Sequence, residues 1–353
     1  MKITRRSLLL APPVALATAR PAIPRTYAWM PKLSENLRDV NPPTLRWLKQ
    51  LGCKHVDFQG TERVDSDNKG YWTVDDIMRH KKNCDEAEMI LESIRLPISL
   101  YRQATLGQPG RDEEIDKVCR TIRAMGELGI PVARWNFGPD YLWGNQIGCY
   151  DTPGRGGAGG NNDCDYARVK DAPPFEGIPP VGEAEMWERA LYFARPIVAA
   201  AEKTNVRLAL HPNDPPVPVM RGVARIFRSP EAFRRLLKEI PSPVNGLAFC
   251  QGTFTEMGTN VFDEIRYFGS RKRINLVHFR NVRGTIPHYR EVFIDEGDID
   301  MLQAMKTYKE VGYSGLFVSD HTPRVEGDTP WGHMGRSFSL GYMRALVQAV
   351  NSI

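Results

Sequence analysis

Four residues with metal-binding side chains end four successive short apolar runs of the sequence: His211, Cys250, His278 and Asp320. Neighbouring members of this set are 39, 28 and 42 residues apart, each about the length of one strand–helix unit. Any one of them alone is more often a turn or core residue. Four at the same position in successive units indicate one shared site. Two imidazoles, a thiolate and a carboxylate suit Mn, Fe, Co or Zn, and not Mg or Ca.

The apolar runs alternate with longer amphipathic stretches, which is typical of parallel β-strands connected by helices. Seven runs are predicted strands, and an eighth lies near 26–29. The seven are 55–58, 97–101, 132–137, 206–211, 246–250, 274–279 and 315–320. Apolar residues recur at helical spacing in stretches that include 112–128, 183–203, 230–239 and 298–311.

Eight strand–helix units in roughly 330 residues favour an α/β fold, a (β/α)8 TIM barrel, over an open doubly wound sheet. No Gly-x-Gly-x-x-Gly motif follows the first predicted strand, so the usual mark of a dinucleotide-binding sheet is missing. The strands of a barrel converge at their carboxyl ends, where residues from four strands can meet. We therefore predict a single catalytic barrel domain over 23–353.

A long insertion after the fourth predicted strand interrupts this alternation. Residues 144–182 are rich in Gly, Pro, Asn and Asp, and they follow a strand end, on the face where a barrel carries its active site. Loops of this length in compact domains are usually functional or disordered. We expect a lid over the active site, with a solvated surface insertion as the alternative. Cys149 and Cys164 lie in it and could pair after export, although their spacing does not require it.

The first 22 residues read as an export signal of the twin-arginine type. Arg5 and Arg6 precede a short apolar stretch interrupted by two prolines, and no acidic residue occurs before Glu35. A frayed basic N-terminus is the alternative. The stretch is too short to span a bilayer, and no other segment approaches that length. We expect the twin-arginine export machinery as a partner and a periplasmic or extracytoplasmic location.

The charge balance and the cysteine content exclude other classes of protein. The formal charge is +5, with 47 basic and 42 acidic residues among 353. Removal of residues 1–22 takes away four basic residues and leaves 43 basic against 42 acidic, so no nucleic-acid partner is indicated. Six cysteines without a Cys-x-x-Cys pair are too few for a disulfide scaffold. A homo-oligomer is compatible with this composition.

The residues around the four candidate ligands resemble the mannonate dehydratase family. The matching motifs are His-Pro-Asn-Asp-Pro-Pro at 211–216, Cys-Gln-Gly-Thr at 250–253, His-Phe-Arg-Asn-Val at 278–282, Asp-His at 320–321, and Asn-Phe-Gly-Pro at 136–139 followed by Trp143. Glu291-Val292, the Gly-Asp at 297–298 with Asp-Met at 300–301, and the closing Gly-Arg at 335–336 with Gly-Tyr at 341–342 also match, in order along the chain.

The resemblance implies a xylose-isomerase-like TIM barrel and a divalent metal, usually Mn and sometimes Fe or Co. It implies conversion of D-mannonate to 2-keto-3-deoxy-D-gluconate plus water, and it puts the family's ligands on His211, Cys250, His278 and Asp320.

Dehydration of a sugar acid needs a base for the C2 proton and an acid for the leaving 3-hydroxyl. His321, next to Asp320, is the leading acid/base candidate, with a loop hydrogen bond as the alternative. Arg280 is predicted to clamp the substrate carboxylate through its planar fork, with a surface salt bridge as the alternative. His288 and Tyr289 are weaker candidates for proton transfer. Asn136, Asp214 and Arg324 are the further predicted substrate-binding residues.

Three departures from the family pattern affect the acid/base groups and not the ligands. His-Thr-Pro-Arg at 321–324 replaces His-Gly-Arg, and Asn213 replaces an Asp. The region of the family's proton-transferring Tyr holds Trp331, which has no hydroxyl. Two alternatives therefore stay open: a metal-dependent sugar isomerase or epimerase, and a catalytically silent extracytoplasmic carbohydrate-binding protein.

Overall fold

The computed structural model describes residues 27–60, 70–138 and 147–352. The predicted export signal at 1–22 lies outside these residues, as do Pro139 and Trp143 of the quoted motif. No helix in the described ranges is both long enough and apolar enough to cross a membrane.

Strands and helices alternate through most of the described chain. The strands are β1 (Lys32–Ser34), β2 (Asn36–Leu37), β3 (His55–Phe58), β4 (Ile90–Arg95), β5 (Val132–Trp135), β6 (Cys149–Thr152), β7 (Asn161–Asp165), β8 (Arg207–Leu210), β9 (Val219–Met220), β10 (Val223–Ala224), β11 (Asn245–Cys250), β12 (Ile274–His278), β13 (Val282–Thr285), β14 (His288–Glu291) and β15 (Leu316–Val318). The α-helices are α1 (Pro42–Gln50), α2 (Val74–Glu86), α3 (Arg102–Leu106), α4 (Arg111–Glu127), α5 (Glu183–Thr204), α6 (Pro230–Glu239), α7 (Gln251–Glu256), α8 (Val261–Ser270), α9 (Met301–Glu310) and α10 (His333–Ser352).

The largest sheet closes on itself and forms the predicted (β/α)8 barrel. Its order is β1-β15-β12-β11-β8-β5-β4-β3-β2, and every pair in it is parallel. β1 and β2 are separated only by Glu35, so together they act as one barrel strand that joins β15 on one side and β3 on the other. The fold class predicted from the sequence is confirmed.

Two apolar layers hold the barrel together. A small cluster of side chains fills the barrel interior, and a much larger cluster lies between the strands and the surrounding helices. The interior cluster consists of Val132, Ala209, Ala248, Leu276, Leu316 and Val318. Burial of a side chain of the size of Val or Leu stabilises the folded state by about 1.5–3 kcal/mol. Because the interior is packed, a ligand can enter only above it, at the carboxyl ends of the strands.

Local sequence signals set the helix boundaries. α6 spans the predicted 230–239, with Ser229 at its N-cap and a proline at its first position, where a missing N–H costs nothing. α5 covers the predicted 183–203 and ends one residue later, before Asn205 in the left-handed conformation. The helices predicted at 112–128 and 298–311 are present as α4 and α9, although α9 begins three residues later than predicted.

Two strand predictions are wrong. Residues 98–101 form a short 3-10 helix, and the third barrel strand is β4, which precedes it. β4 was missed because polar Glu92 and Ser93 interrupt its apolar pattern, yet both are buried. Glu92 is paired with Lys32 and His55 at the amino-terminal end of the barrel. The first barrel strand is β1–β2, not the segment near 26–29, of which the described residues 27–29 are not in a strand.

The insertion, where it is described, contains ordered secondary structure. Its strands β6 and β7 form a hairpin that joins β14 and β13 in a four-stranded antiparallel sheet, in the order β13-β14-β7-β6. Cys149 and Cys164 lie opposite each other in the hairpin and form a disulfide, the pairing that their spacing left open. Closure of this sheet over a substrate stays a prediction.

Candidate metal centre and acid/base site

The four predicted ligands meet at the carboxyl end of the barrel. His211 directly follows β8, Cys250 and His278 end β11 and β12, and Asp320 lies two residues after β15. These strands are neighbours in the sheet. The four donor atoms all lie within 4.8 Å of one another, and all four residues are buried. His211 Nε2 is 3.1 Å from His278 Nδ1. The structure therefore brings together the complete set that the spacing predicted.

A local backbone feature turns Asp320 into the site. Its φ is 63°, in the left-handed region that Asp tolerates better than most residues. The chain therefore leaves the strand direction there, so that Asp320 and the following His321 both face the site instead of opposite sides of a strand. Arg336, from α10, donates to the backbone carbonyl of Asp320 at 2.9 Å and to Glu35 Oε2 at 2.6 Å, which fixes this turn.

The protonation states of the donors suit a bound cation. Burial lowers the pKa of His211 to about 4, so its ring is neutral at pH 7. Burial also acts to raise the pKa of Asp320, but His278, His321 and Arg280 outweigh it and hold that pKa well below its usual range. Arg280 and His278 likewise outweigh burial and lower the pKa of the Cys250 thiol. Neutral imidazole, carboxylate and an acidified thiol are the forms that bind metals.

A buried arginine lies behind His278, and the sequence did not indicate it. Arg134 Nη1 is 3.1 Å from His278 Nε2, while Arg134 Nη2 is 3.1 Å from both Asp57 Oδ2 and Asn36 Oδ1. A guanidinium only donates, so Nε2 must accept and the proton of a neutral His278 lies on Nδ1. Arg134 therefore fixes the orientation of the His278 ring beside the other three donors.

Arg280 lies in a cluster of acidic side chains beside the four donors. It donates to Asp214, and its Nη1 and Nε lie 2.9 Å from Glu256 Oε1 and 3.2 Å from Asp320 Oδ2. Only 2 % of its side chain is exposed. Its predicted role as a clamp for a substrate carboxylate stays a prediction. In the structure its fork is occupied by the protein's own carboxylates, and it is not the exposed salt bridge of the alternative.

Gly252 makes room for Arg280. A Cβ at this position would lie 2.7 Å from Arg280 Cγ and 2.9 Å from Arg280 Cζ, closer than real Cβ contacts. The Gly in the Cys-Gln-Gly-Thr motif is thus explained by the approach of a buried side chain.

Tyr289 and His288 have different environments although they are adjacent. Tyr289 is buried and donates to Asp214 Oδ1 at 2.7 Å, whereas His288 is largely exposed and paired with Asp163 of β7. Neighbouring residues of a strand face opposite sides of a sheet, so only one of the two can face the barrel. The structure brings Tyr289 into the Arg280–Asp214 cluster and leaves His288 outside it.

His321 is held by an acidic partner that the sequence reasoning gave no role. His321 Nδ1 lies 2.5 Å from Glu291 Oε1, and Asn162 Nδ2 donates to Glu291 Oε2 at 2.9 Å. Desolvation lowers the pKa of His321, but the charges of Asp320 and Glu291 outweigh it and raise that pKa to about 10. The ring is 48 % exposed, so a substrate can reach the protonated imidazole. The only sequence signal for Glu291 was its match to a family motif.

The remaining predicted residues follow the carboxyl ends of barrel strands. Asn136 is half-buried just after β5, with its backbone N–H 3.3 Å from the Tyr101 hydroxyl. Arg324 pairs with Gly159 of the insertion through the backbone and lines a cavity of about 840 Å³ between the two segments. Neither has a described side-chain contact with the four donors. Trp331 packs against Trp47, His333 and Arg336.

Comparison with known proteins agrees with the fold. The closed barrel with two buried histidines, a cysteine and an aspartate at its carboxyl end defines a xylose-isomerase-like TIM barrel with a candidate metal site. A xylose isomerase domain protein from Planctomyces limnophilus has the same fold, with a TM-score of 0.58 and 12% identity, covering 93% of this chain and 98% of that one.

The family follows from closer similarities. The D-mannonate dehydratase (UxuA) family model matches residues 40–152 and 160–353, and the chain belongs to this family. It is 28% identical to the mannonate dehydratase of Thermotoga maritima over 318 residues, which cover 80% of this chain and 87% of that one. The mannonate dehydratase structure from Streptococcus suis serotype2 superposes with a TM-score of 0.80 at 26% identity, covering 91% of this chain and 95% of that one.

Replacement of Cys250 by Ser removes the softest of the four donors. We expect C250S to bind Mn²⁺ at least roughly 10-fold more weakly, because even substitutions outside the ligand set cost that much. The measurement is metal content after dialysis together with titration calorimetry. Cys119 is a buried cysteine on α4, outside the donor set, so C119S is the matched control. Unchanged metal affinity in C250S would remove Cys250 from the ligand set.

Metal retention should fall as the pH is lowered. Protons compete with the metal for the thiolate of Cys250, whose pKa is lowered, and for the imidazole of His211, whose pKa is about 4. Metal content after dialysis at stepwise lower pH should therefore fall steeply as the pH approaches 4, where His211 gains a proton. Constant metal content between pH 8 and pH 4 would contradict this prediction.

Proposed function

We propose that the protein is a metal-dependent dehydratase that converts D-mannonate to 2-keto-3-deoxy-D-gluconate plus water. The observation that carries this proposal is the position of His321, protonated and half exposed, directly beside a buried set of four metal-binding side chains. Membership of the D-mannonate dehydratase family over most of the chain supports the choice of substrate.

The cofactor that we propose is Mn²⁺, with Fe²⁺ or Co²⁺ as alternatives, held by His211, Cys250, His278 and Asp320. A thiolate and two imidazoles argue against Mg²⁺ and Ca²⁺, which prefer oxygen ligands. When bound, the metal supplies Lewis-acid stabilisation of the negative charge that develops on the substrate oxygens.

His321 is proposed as the general acid. Loss of the 3-hydroxyl requires a proton, and an imidazolium with a pKa near 10 carries one at neutral pH. Glu291 engages Nδ1, so that Nε2 is the nitrogen left to face a substrate. Nε2 is 3.8 Å from Asp320 Oδ1, which places the transferable proton at the edge of the metal site.

Tyr289 and Asp214 are proposed to shape the substrate pocket. Burial and the neighbouring acidic groups hold the pKa of Tyr289 well above its usual range, so it keeps its proton and donates to Asp214. Arg280 and His321 outweigh burial and lower the pKa of Asp214, which stays ionised as an acceptor for sugar hydroxyls. Arg324, at the mouth, is the accessible cation that we propose for the substrate carboxylate, since Arg280 is enclosed.

We also propose that the protein is exported in folded form. The Cys149–Cys164 disulfide supports an oxidising compartment, because such bonds are rare in reducing cytosol. Conservative replacement of the paired arginines, R5K together with R6K, should retain the protein in the cytoplasm, as measured by fractionation and immunoblotting. Equal periplasmic yield of this variant and the wild type would contradict export by the twin-arginine machinery.

A substrate panel tests the activity directly. Purified protein loaded with Mn²⁺ should form a 2-keto-3-deoxy acid from D-mannonate and not from most other sugar acids. H321N should lower kcat by roughly 10²–10⁴-fold, the usual contribution of a general acid, without loss of metal. His333, which begins α10 and packs against Trp47 and Trp331, supplies the control H333N.

Other outcomes of the same panel distinguish the alternatives. No keto acid from any sugar acid would refute the dehydratase. Deuterium incorporation from solvent into an aldose or ketose without loss of water would identify an isomerase or epimerase. Tight binding of a sugar without turnover would identify a binding protein.

A further inference from the structure

We propose that Asn162 of the insertion is a positioning residue for His321, acting through Glu291, and that the Cys149–Cys164 disulfide holds it in place. The activity part of this inference rests on the proposed function. The structural part concerns only how one strand is fixed against another.

The contact chain begins at the acid/base group. Glu291 uses one carboxylate oxygen for His321 Nδ1, at 2.5 Å, and the other for Asn162 Nδ2, at 2.9 Å. The backbone of Glu291 is fixed as well, since Asn161 Nδ2 donates to its carbonyl at 3.0 Å. Two adjacent side chains of β7 thus hold the residue that orients the imidazole.

The strand that carries these asparagines joins the site through the four-stranded sheet, and the insertion is further attached by the backbone pairing of Gly159 with Arg324 and by Arg290, which donates to Thr152 Oγ1. β7 pairs with β14 at Asp163↔Arg290, Cys164↔Tyr289 and Asp165↔His288. On its other side β7 pairs with β6, which is the last strand of this sheet in the described part of the chain. A strand at the edge of a sheet is paired on one side only, so a covalent link between β6 and β7 adds a restraint there.

The disulfide joins β6 and β7 at a register that matters for the site. Cys149 is opposite Cys164, and Cys164 is opposite Tyr289, so the crosslink lies on the same rung of the sheet as the tyrosine that binds Asp214. Residues directly opposite each other in antiparallel strands project from the same face. Cys164 and Tyr289 are both buried, so this rung faces the barrel.

Formation of the crosslink would therefore complete the active site. The two cysteines lose two protons and two electrons when the S–S bond forms. The oxidant is a disulfide compound, such as oxidised glutathione, which is reduced to two thiols by exchange. The reduced protein keeps the barrel and the four metal-binding side chains, none of which is in the hairpin. We expect it to bind metal normally and to turn over slowly.

Substitutions at Asn162 and at the two cysteines separate the parts of this inference. N162A removes the amide that donates to Glu291. We expect kcat to fall about tenfold while KM stays within about twofold of the wild-type value, because a small misplacement of a reacting group slows the chemical step. Asp151 lies opposite Asn162 on the hairpin and is exposed, so D151N is the matched control. N162Q, which retains a donor, should recover part of the activity. The double variant C149S with C164S should resemble N162A.

Reduction and hydrogen exchange complete the test. A phosphine reductant should lower the kcat of the wild type and leave that of the double-serine variant unchanged. Reduction should also accelerate amide exchange in 288–291 about tenfold while 274–278 stays protected. This second readout needs no substrate, so it remains decisive if no sugar acid is turned over. Unchanged exchange in 288–291, or faster exchange with an unchanged kcat, would overturn the proposal.

Discussion

The buried guanidinium of Arg280 is the interaction on which the site depends. Four carboxyl groups surround it, those of Asp214, Glu256, Glu291 and Asp320. Arg280 donates to Asp214, and its nitrogens lie 2.9 Å from Glu256, 3.2 Å from Asp320 and 3.9 Å from Glu291. Burial of one unpaired carboxylate costs several kcal/mol, and burial of a group of them without a cation would be prohibitive. Glu256 shows the limit of this compensation: burial and nearby negative charge raise its pKa well above the usual range despite its contact with Arg280.

The same cation affects both the metal-binding side chains and the side chains proposed to bind the substrate. It lowers the pKa of Asp320 and Cys250 on the metal side and that of Asp214 on the substrate side. Because one charge acts on both sides, a substitution of Arg280 would disturb metal binding and substrate binding together. Gly252 is part of the same constraint, since any larger residue there would displace the guanidinium.

The parts of the fold that were predictable from the sequence are those in which local pattern and tertiary structure agree. His211, Cys250 and His278 follow continuous apolar runs, and strands buried on both faces show such runs. β4 does not show a continuous apolar run, because it contains the buried Glu92. The charge of Glu92 is compensated by Lys32 and His55, which are distant in sequence. Arg134 behind His278 and Glu291 beside His321 were missed for the same reason: each is defined by a partner more than 25 residues away, and the pairing leaves no local pattern.

The metal-binding side chains and the proposed general acid depend on different parts of the fold. The four metal-binding side chains lie at the ends of barrel strands, whose positions are fixed by closure of the sheet. His321 depends instead on Glu291 and, through it, on a hairpin outside the barrel. Trp331, in the region where the family pattern has its tyrosine, packs over Arg336, which in turn holds the backbone of Asp320. Trp331 is therefore a packing group on the metal side. Because indole has no hydroxyl, Trp331 cannot supply the proton that we propose His321 donates.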